Sequence, residues 1–173
     1  MQMADNPTPN EELALIKEKI DSWLKTRISE DEVIQSADFD KSDSRWYVRV
    51  TGEEKQNYMI LITLRQRTLH FETYVMPEPE ENKEDFYRHL LARNNKLHNL
   101  SFSIGEENAV YLTGELHNQW ISENNLDWMV GSIYATIELT FKPALKIGFA
   151  SRFSYCLLYT SPSPRDQRGS GMG

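Results

Sequence analysis

Four histidines, His70, His89, His98 and His117, are the side chains of this 173-residue sequence best suited to proton transfer or metal ligation. None falls in an HExxH spacing, and the single cysteine, Cys156, excludes a CxxC ligand pair. His70 and Glu72 stand two apart, so on a strand they share a face, and a carboxylate there can orient an imidazole for acid–base work. The same pair on a solvated sheet is an ordinary polar contact. A small hydrolase or transferase using His70 and Glu72 is therefore the alternative expectation, not the leading one. Asp85, His89 and Arg93 repeat every four residues, which on a helix is the spacing of an exposed ion-pair row. His98 and His117 sit near loop ends with no evident partner. Asp38, Asp40 and Asp43 faintly suggest a calcium loop, but the glycine at the sixth position and the glutamate at the twelfth are missing, which leaves an acidic turn. No serine sits in a GxSxG elbow and no glycine-rich phosphate loop occurs. The residue spacing predicts no catalytic site, no metal and no cofactor.

The elements that would position these groups follow from periodicity. Thr8-Pro9-Asn10-Glu11 reads as a helix start, with Thr8 as the cap. Leu13, Ile16, Ile20, Trp23 and Leu24 then form one apolar stripe. Ser29 to Ser44 is polar and acidic, with a possible short edge strand near Val33–Asp38. Three alternating runs follow: Trp46, Val48 and Val50; Tyr58, Ile60, Ile62 and Leu64; Leu69, Phe71, Thr73 and Val75. Short turns at Gly52–Lys55 and Arg65–Arg67 join them into an antiparallel meander. Pro77-Glu78-Pro79 stops the third run. A helix is predicted over about Asn82–Lys96, then a hairpin of Leu100–Ile104 and Ala109–Leu116. The last helix, capped by Ser122, is expected to end near Phe141 because Pro143 follows. Grouped strands with helices between them predict an α+β fold, order α-β-β-β-α-β-β-α, with about five antiparallel strands and helices on one face.

Charge and composition narrow the function classes. Lys and Arg number 19 against 26 Asp and Glu, a formal charge of −7. An acidic chain is a poor match for phosphate backbones, so no nucleic-acid role is expected. Lys142, Lys146 and Arg152, interleaved with Phe141, Leu145, Phe149 and Phe153, are too few for a basic patch and read as packing. The longest apolar runs, Tyr58–Ile62 and Tyr155–Tyr159, fall far short of a span, so no membrane partner is expected. A lone cysteine and no signal pattern at residues 1–10 suit a cytoplasmic location. The expected organisation is a disordered segment 1–9, one domain over 10–153 and a disordered tail 154–173. Within the tail, Cys156-Leu157-Leu158-Tyr159-Thr160-Ser161-Pro162-Ser163-Pro164-Arg165-Asp166 resembles a peptide translated from sequencing-adapter DNA. The tail is therefore set aside from the fold.

Five separated stretches carry a family resemblance. Arg67-Thr68-Leu69-His70-Phe71-Glu72-Thr73-Tyr74-Val75-Met76-Pro77-Glu78-Pro79-Glu80 resembles the YbjN family, most of all its actinobacterial branch. Leu90-Leu91-Ala92-Arg93-Asn94, Leu126-Asp127-Trp128-Met129-Val130-Gly131-Ser132 and Ile147-Gly148-Phe149-Ala150-Ser151-Arg152-Phe153 agree with the same family, as does Arg45-Trp46-Tyr47-Val48. The match covers about residues 10–153 in order. The resemblance implies a fold similar to type III secretion chaperones and a role as a sensory-transduction regulator or chaperone-like protein binder. It implies no enzyme activity, cofactor or defined site residue. It also implies a cytoplasmic homodimer, formed through the second helix and its adjacent strand, with an unknown protein partner. Alternation itself supplies a candidate partner-binding face of Tyr47, Met59, Leu61, His70, Tyr74 and Met76, mixing aromatic and adaptable side chains. The open alternative is that both sheet faces are buried within one subunit.

Overall fold

The computed structural model describes residues 6–30 and 32–153. The readings of residues 1–5 and of the 154–173 tail lie outside them. The chain begins with helix α1 (Asn10–Glu30), followed by strands β1 (Ile34–Asp40), β2 (Arg45–Thr51), β3 (Asn57–Leu64) and β4 (Thr68–Met76). Helix α2 (Lys83–Asn94), strands β5 (Leu100–Ile104) and β6 (Val110–His117), and helix α3 (Glu123–Gly148) complete it. The six strands among the described residues form one antiparallel sheet, ordered β1-β2-β3-β4-β6-β5. The α+β class, the antiparallel sheet and the three helices are as expected. β1 occupies the place of the possible edge strand. Its polar sequence conceals it because only Ile34 is buried and only Phe39 stacks on a core ring, that of Trp46 at 4.8 Å.

The period-two pattern sorts the sheet into two faces. Trp46, Val48 and Val50 register opposite Ile62, Ile60 and Tyr58. Ile62 and Leu64 register opposite Phe71 and Leu69, and Thr73 opposite Leu112. The apolar residues of this set pack with side chains of all three helices in one cluster, Leu64 at its margin, so the helices cover this face. Two indole N–H groups that would be stranded in that core each find a carboxylate. Trp46 Nε1 donates to Asp21 Oδ1 and Trp23 Nε1 to Asp127 Oδ1, both at 2.8 Å. The first bond ties α1 to β2, and the second ties α1 to α3.

Two local expectations change. Helix α3 does not stop at Phe141 but runs through Pro143 to Gly148. Proline's missing N–H leaves the Leu139 carbonyl without its helical donor, yet Leu139 is exposed and water can bond there. Tertiary packing carries the helix onward: Ala144 is fully buried, and Gly148 packs so tightly that an added Cβ would lie 2.8 Å from the Phe86 ring and 2.9 Å from Pro79. Order also begins before residue 10. Thr8 N donates to the Gln66 carbonyl at 2.7 Å, and the Thr8 hydroxyl, expected as a cap, accepts from Asn118 Nδ2 at 3.0 Å.

The β5–β6 hairpin closes through a turn whose central residues, Glu107 and Asn108, both have φ of 56°, with Ala109 N donating to the Glu106 carbonyl. Two consecutive left-handed residues define the type I′ geometry that Asn-Gly suits best. A glutamate there sits against its Cβ sterics. Replacing Glu107→Asn together with Asn108→Gly is expected to stabilise the domain by about 1 kcal/mol, read as a rise in urea midpoint with an unchanged slope.

Candidate functional site

The sheet face turned away from the helices is assembled by register. Tyr47 on β2 is opposite Leu61 on β3, Leu61 is opposite Glu72 on β4, and Glu72 is opposite Thr113 on β6. Arg49 pairs with Met59, which sits one place past the Ile60–Thr73 pair and so beside Tyr74. Tyr74 in turn pairs with Tyr111. At the other end Arg45, Thr63, His70 and Glu115 form a row. No helix among the described residues covers this face, and Tyr47, Met59, Leu61, His70 and Glu72 are half-buried by their neighbours alone. Tyr74 is 44% exposed. The reading in which one subunit buries both faces does not describe this chain.

Five of the six candidate residues therefore share one surface. Met76 does not. A register shift between Tyr74 and Met76 inserts an extra residue, so Val75 and Met76 both turn to the core, each 1% exposed. Alternation counted straight through the bulge puts Met76 on the wrong side. Tyr111 is the residue that sequence reading missed. Its ring meets Tyr74 edge-on at 5.6 Å, and it covers Gly105, where a Cβ would lie 2.4 Å from the ring. A cross-strand pair 37 positions apart leaves no local signal. Lys55, from the β2–β3 turn, braces the same corner by donating to the Tyr74 and Val75 carbonyls at 3.0 and 2.5 Å. Burial pulls its pKa down to about 8.

The histidines do not assemble a reaction centre. His70 lies at an open basin of about 400 Å³ lined by Asn99, Ser101, Thr113 and Glu115. Its Nδ1 is buried and has no hydrogen-bond partner among the described residues, so no hydroxyl is bonded to it for activation. Burial, then the charge of Arg65, lowers its pKa against the pull of Glu115 and Glu72, which keeps the ring neutral at pH 7. The expected Asp85–His89–Arg93 row is not an ion-pair row. The ion pairs of α2 join Glu84 to Arg88 at 3.3 Å and Lys83 to Glu78 at 3.0 Å, whereas His89 has its Nε2 buried and its pKa lowered by burial and by Arg93. His98 is exposed, and His117 Nδ1 accepts from Gln119 N at 3.1 Å. Asp40 holds its turn by accepting from Ser42 N and Oγ at 2.9 and 2.7 Å. No group of three metal-ligating side chains occurs among the described residues. Lys142 pairs with Glu54 and Arg152 with Glu80, at 2.8 and 2.6 Å, and Lys146 lies over the Phe153 ring.

A second surface lies between α2 and the edge strand β5. Tyr87, Leu90, Leu91, Phe102, Ile104 and Val110 line an apolar groove of about 300 Å³. Leu91 and Ile104 are 66% and 57% exposed, unusual for large aliphatic side chains placed side by side. Asn94 blocks the middle of the strand's free edge: its Oδ1 accepts from Phe102 N at 2.7 Å and its Nδ2 donates to Phe102 O at 3.1 Å. Strand pairing is thereby blunted at Phe102, and the groove offers side chains instead.

No protein-family model matches the chain, so the YbjN resemblance rests on the motifs quoted above. The chain is 27% identical over 104 residues to uncharacterized protein Rv0487 of Mycobacterium tuberculosis, covering 60% of this chain and 57% of that protein. It is 28% identical over 107 residues to uncharacterized protein ML2442 of Mycobacterium leprae, covering 62% and 58%. These matches span less than two thirds of the relatives' own length. Among solved structures, a chain of the ExsC–ExsE complex superposes with a TM-score of 0.52 at 15% identity, covering 71% of this chain and 91% of that one. A chain of the heterodimeric ExoU–SpcU complex, from the type III secretion system of Pseudomonas aeruginosa, gives 0.50 at 12%, covering 72% and 98%. Among the described residues no helix is long and apolar enough to cross a membrane. By architecture the chain is an α+β domain with a fold like that of these two solved chains.

Proposed function

We propose that this domain is a non-enzymatic protein-binding module, chaperone-like or a sensory-transduction regulator of YbjN type, that acts in the cytoplasm as a homodimer. The observation that carries the reading is the uncovered sheet face, where Tyr47, Met59, Leu61, His70 and Tyr74 lie together on rigid strands. Adaptable and aromatic side chains on a firm scaffold suit the capture of another chain. The fold likeness to chains solved in two-protein complexes supports it. The α2–β5 groove supports the dimer, because a second copy would cover Leu91 and Ile104 in both subunits at once.

Cross-linking in the native cell with mass spectrometry tests both surfaces. Self cross-links are expected from α2 and β5, and hetero cross-links from β2, β3 and β4. Leu61→Asp is expected to remove most hetero cross-links and leave the self cross-links. Leu91→Glu with Ile104→Glu is expected to do the reverse and to give a monomer mass by light scattering. A wild-type monomer that makes no hetero cross-links would sink the proposal.

A further inference from the structure

The uncovered sheet face is electrically uneven. Its β2 side carries Arg45 and Arg49, while its β4–β6 side carries Glu72 and Glu115. Glu106 and Glu107 add two carboxylates from the hairpin turn beside Tyr111. Burial first, then Glu106, Glu72, Tyr74 and Glu107, raise the Tyr111 phenol's pKa, which places three carboxylates within electrostatic reach of that ring. None of Glu72, Glu106, Glu107 and Glu115 enters an ion pair among the described residues. Arg45 Nε donates to Thr63 Oγ1 at 2.9 Å, and Lys55 donates to two carbonyls with its Nζ 5.2 Å from the centre of the Tyr74 ring, which leaves the Tyr111 side of the pair beside the carboxylates. Beside the carboxylates lies the apolar strip of Tyr47, Met59 and Leu61. Two strand spacings, roughly 10 Å, separate β3 from β6.

Resting on the protein-binding reading above, we propose that this face receives a basic amphipathic polypeptide segment, whose aliphatic side chains seat on Leu61 and Met59 while an arginine or lysine settles over Tyr111 among the carboxylates. An aromatic face ringed by carboxylates attracts a cation through both its quadrupole and its charge. A like-charged cluster without its own counterions gains when a partner brings them. The same charges repel phosphate, which disfavours nucleic acids and anionic lipid surfaces. The separation of apolar strip and acidic end asks for one ligand that spans both, which a peptide segment does and a small cation does not.

The test is calorimetric titration of the full chain with three synthetic 12-residue peptides: repeats of Leu-Leu-Arg-Arg, and the same pattern with Gln or Glu replacing Arg. The Arg peptide is expected to bind about tenfold tighter than the Glu peptide, an advantage that shrinks as salt rises from about 0.1 to about 0.5 M. Glu72→Gln with Glu106→Gln is expected to weaken the Arg peptide by about fivefold and leave the Gln peptide unchanged. Tyr111→Leu is expected to cost a further factor of about three. These positions are on the surface, and an unchanged thermal melt confirms that each variant folds. Equal binding of all three peptides, or an Arg peptide indifferent to the glutamine pair, overturns the cation site while leaving a protein-binding face. Tighter binding of the Glu peptide overturns it through the wrong charge. Failure of all three to bind overturns it and also counts against the face as a docking surface, whereas the cross-linking experiment judges the wider reading separately.

Discussion

Trp46→Ala is expected to lower the unfolding free energy by about 3–5 kcal/mol, enough to unfold much of a marginally stable domain at 37 °C. Trp46 is 1% exposed and sits on β2 between Phe39 and the Ile62 register. Removing the indole opens a cavity at the junction of α1 with the sheet. It also leaves the Asp21 carboxylate without the donor it holds at 2.8 Å, although Lys17, paired to its other oxygen at 2.7 Å, remains. Trp46→Phe separates the two effects, since it restores most of the volume and not the N–H. That variant should cost about 1–2 kcal/mol. Urea unfolding followed by far-UV circular dichroism reads both. A loss below about 1 kcal/mol for the alanine variant would show that α1 does not depend on this contact.

Much of this arrangement was legible in the sequence because it is periodic. Alternation from Trp46 to Val75 separates the two faces of three strands correctly, and the α1 stripe of Ile20, Trp23 and Leu24 names the residues that do become buried. What escaped is non-local or non-periodic. β1 does occupy the place of the edge strand expected near Val33–Asp38, but with one buried side chain it lacks the apolar signal that marks the central strands and their bounds. The bulge before Met76 moves one residue to the other face, and no alternating count can register it. Tyr111 joins the candidate surface only through β4–β6 pairing. Pro143 is a sound stop signal locally and fails because Ala144 and Gly148 have packing partners. On α2, Leu90 and Leu91 read alike, yet one is in the core and the other forms the groove, since adjacent residues on a helix face different directions.

The other large effect is expected at a glycine whose value lies in what it lacks. Gly114 on β6 pairs with Phe71 on one side and Leu100 on the other. A Cβ built there would stand 2.3 Å from the Asn99 carbonyl oxygen and 2.7 Å from Leu100 Cδ2. A side chain could rotate away, but a carbonyl oxygen moves only with its backbone. Asn99 is itself left-handed, with φ of 59°, at the entry to β5, and its amide sits in a short link from α2. Gly114→Ala should therefore push the start of β5 off the sheet at a cost of about 1–3 kcal/mol. The displacement reaches past stability. β5 carries Phe102, whose backbone is held by Asn94, and Ile104, which lines the apolar groove. If that groove is where two copies meet, Gly114→Ala should weaken the dimer as well as the fold, and more than Trp46→Phe does at equal loss of stability. Sedimentation of the two variants at matched concentrations, below either melting transition, makes the comparison. Equal dimer constants would mean that the position of β5 does not govern self-association.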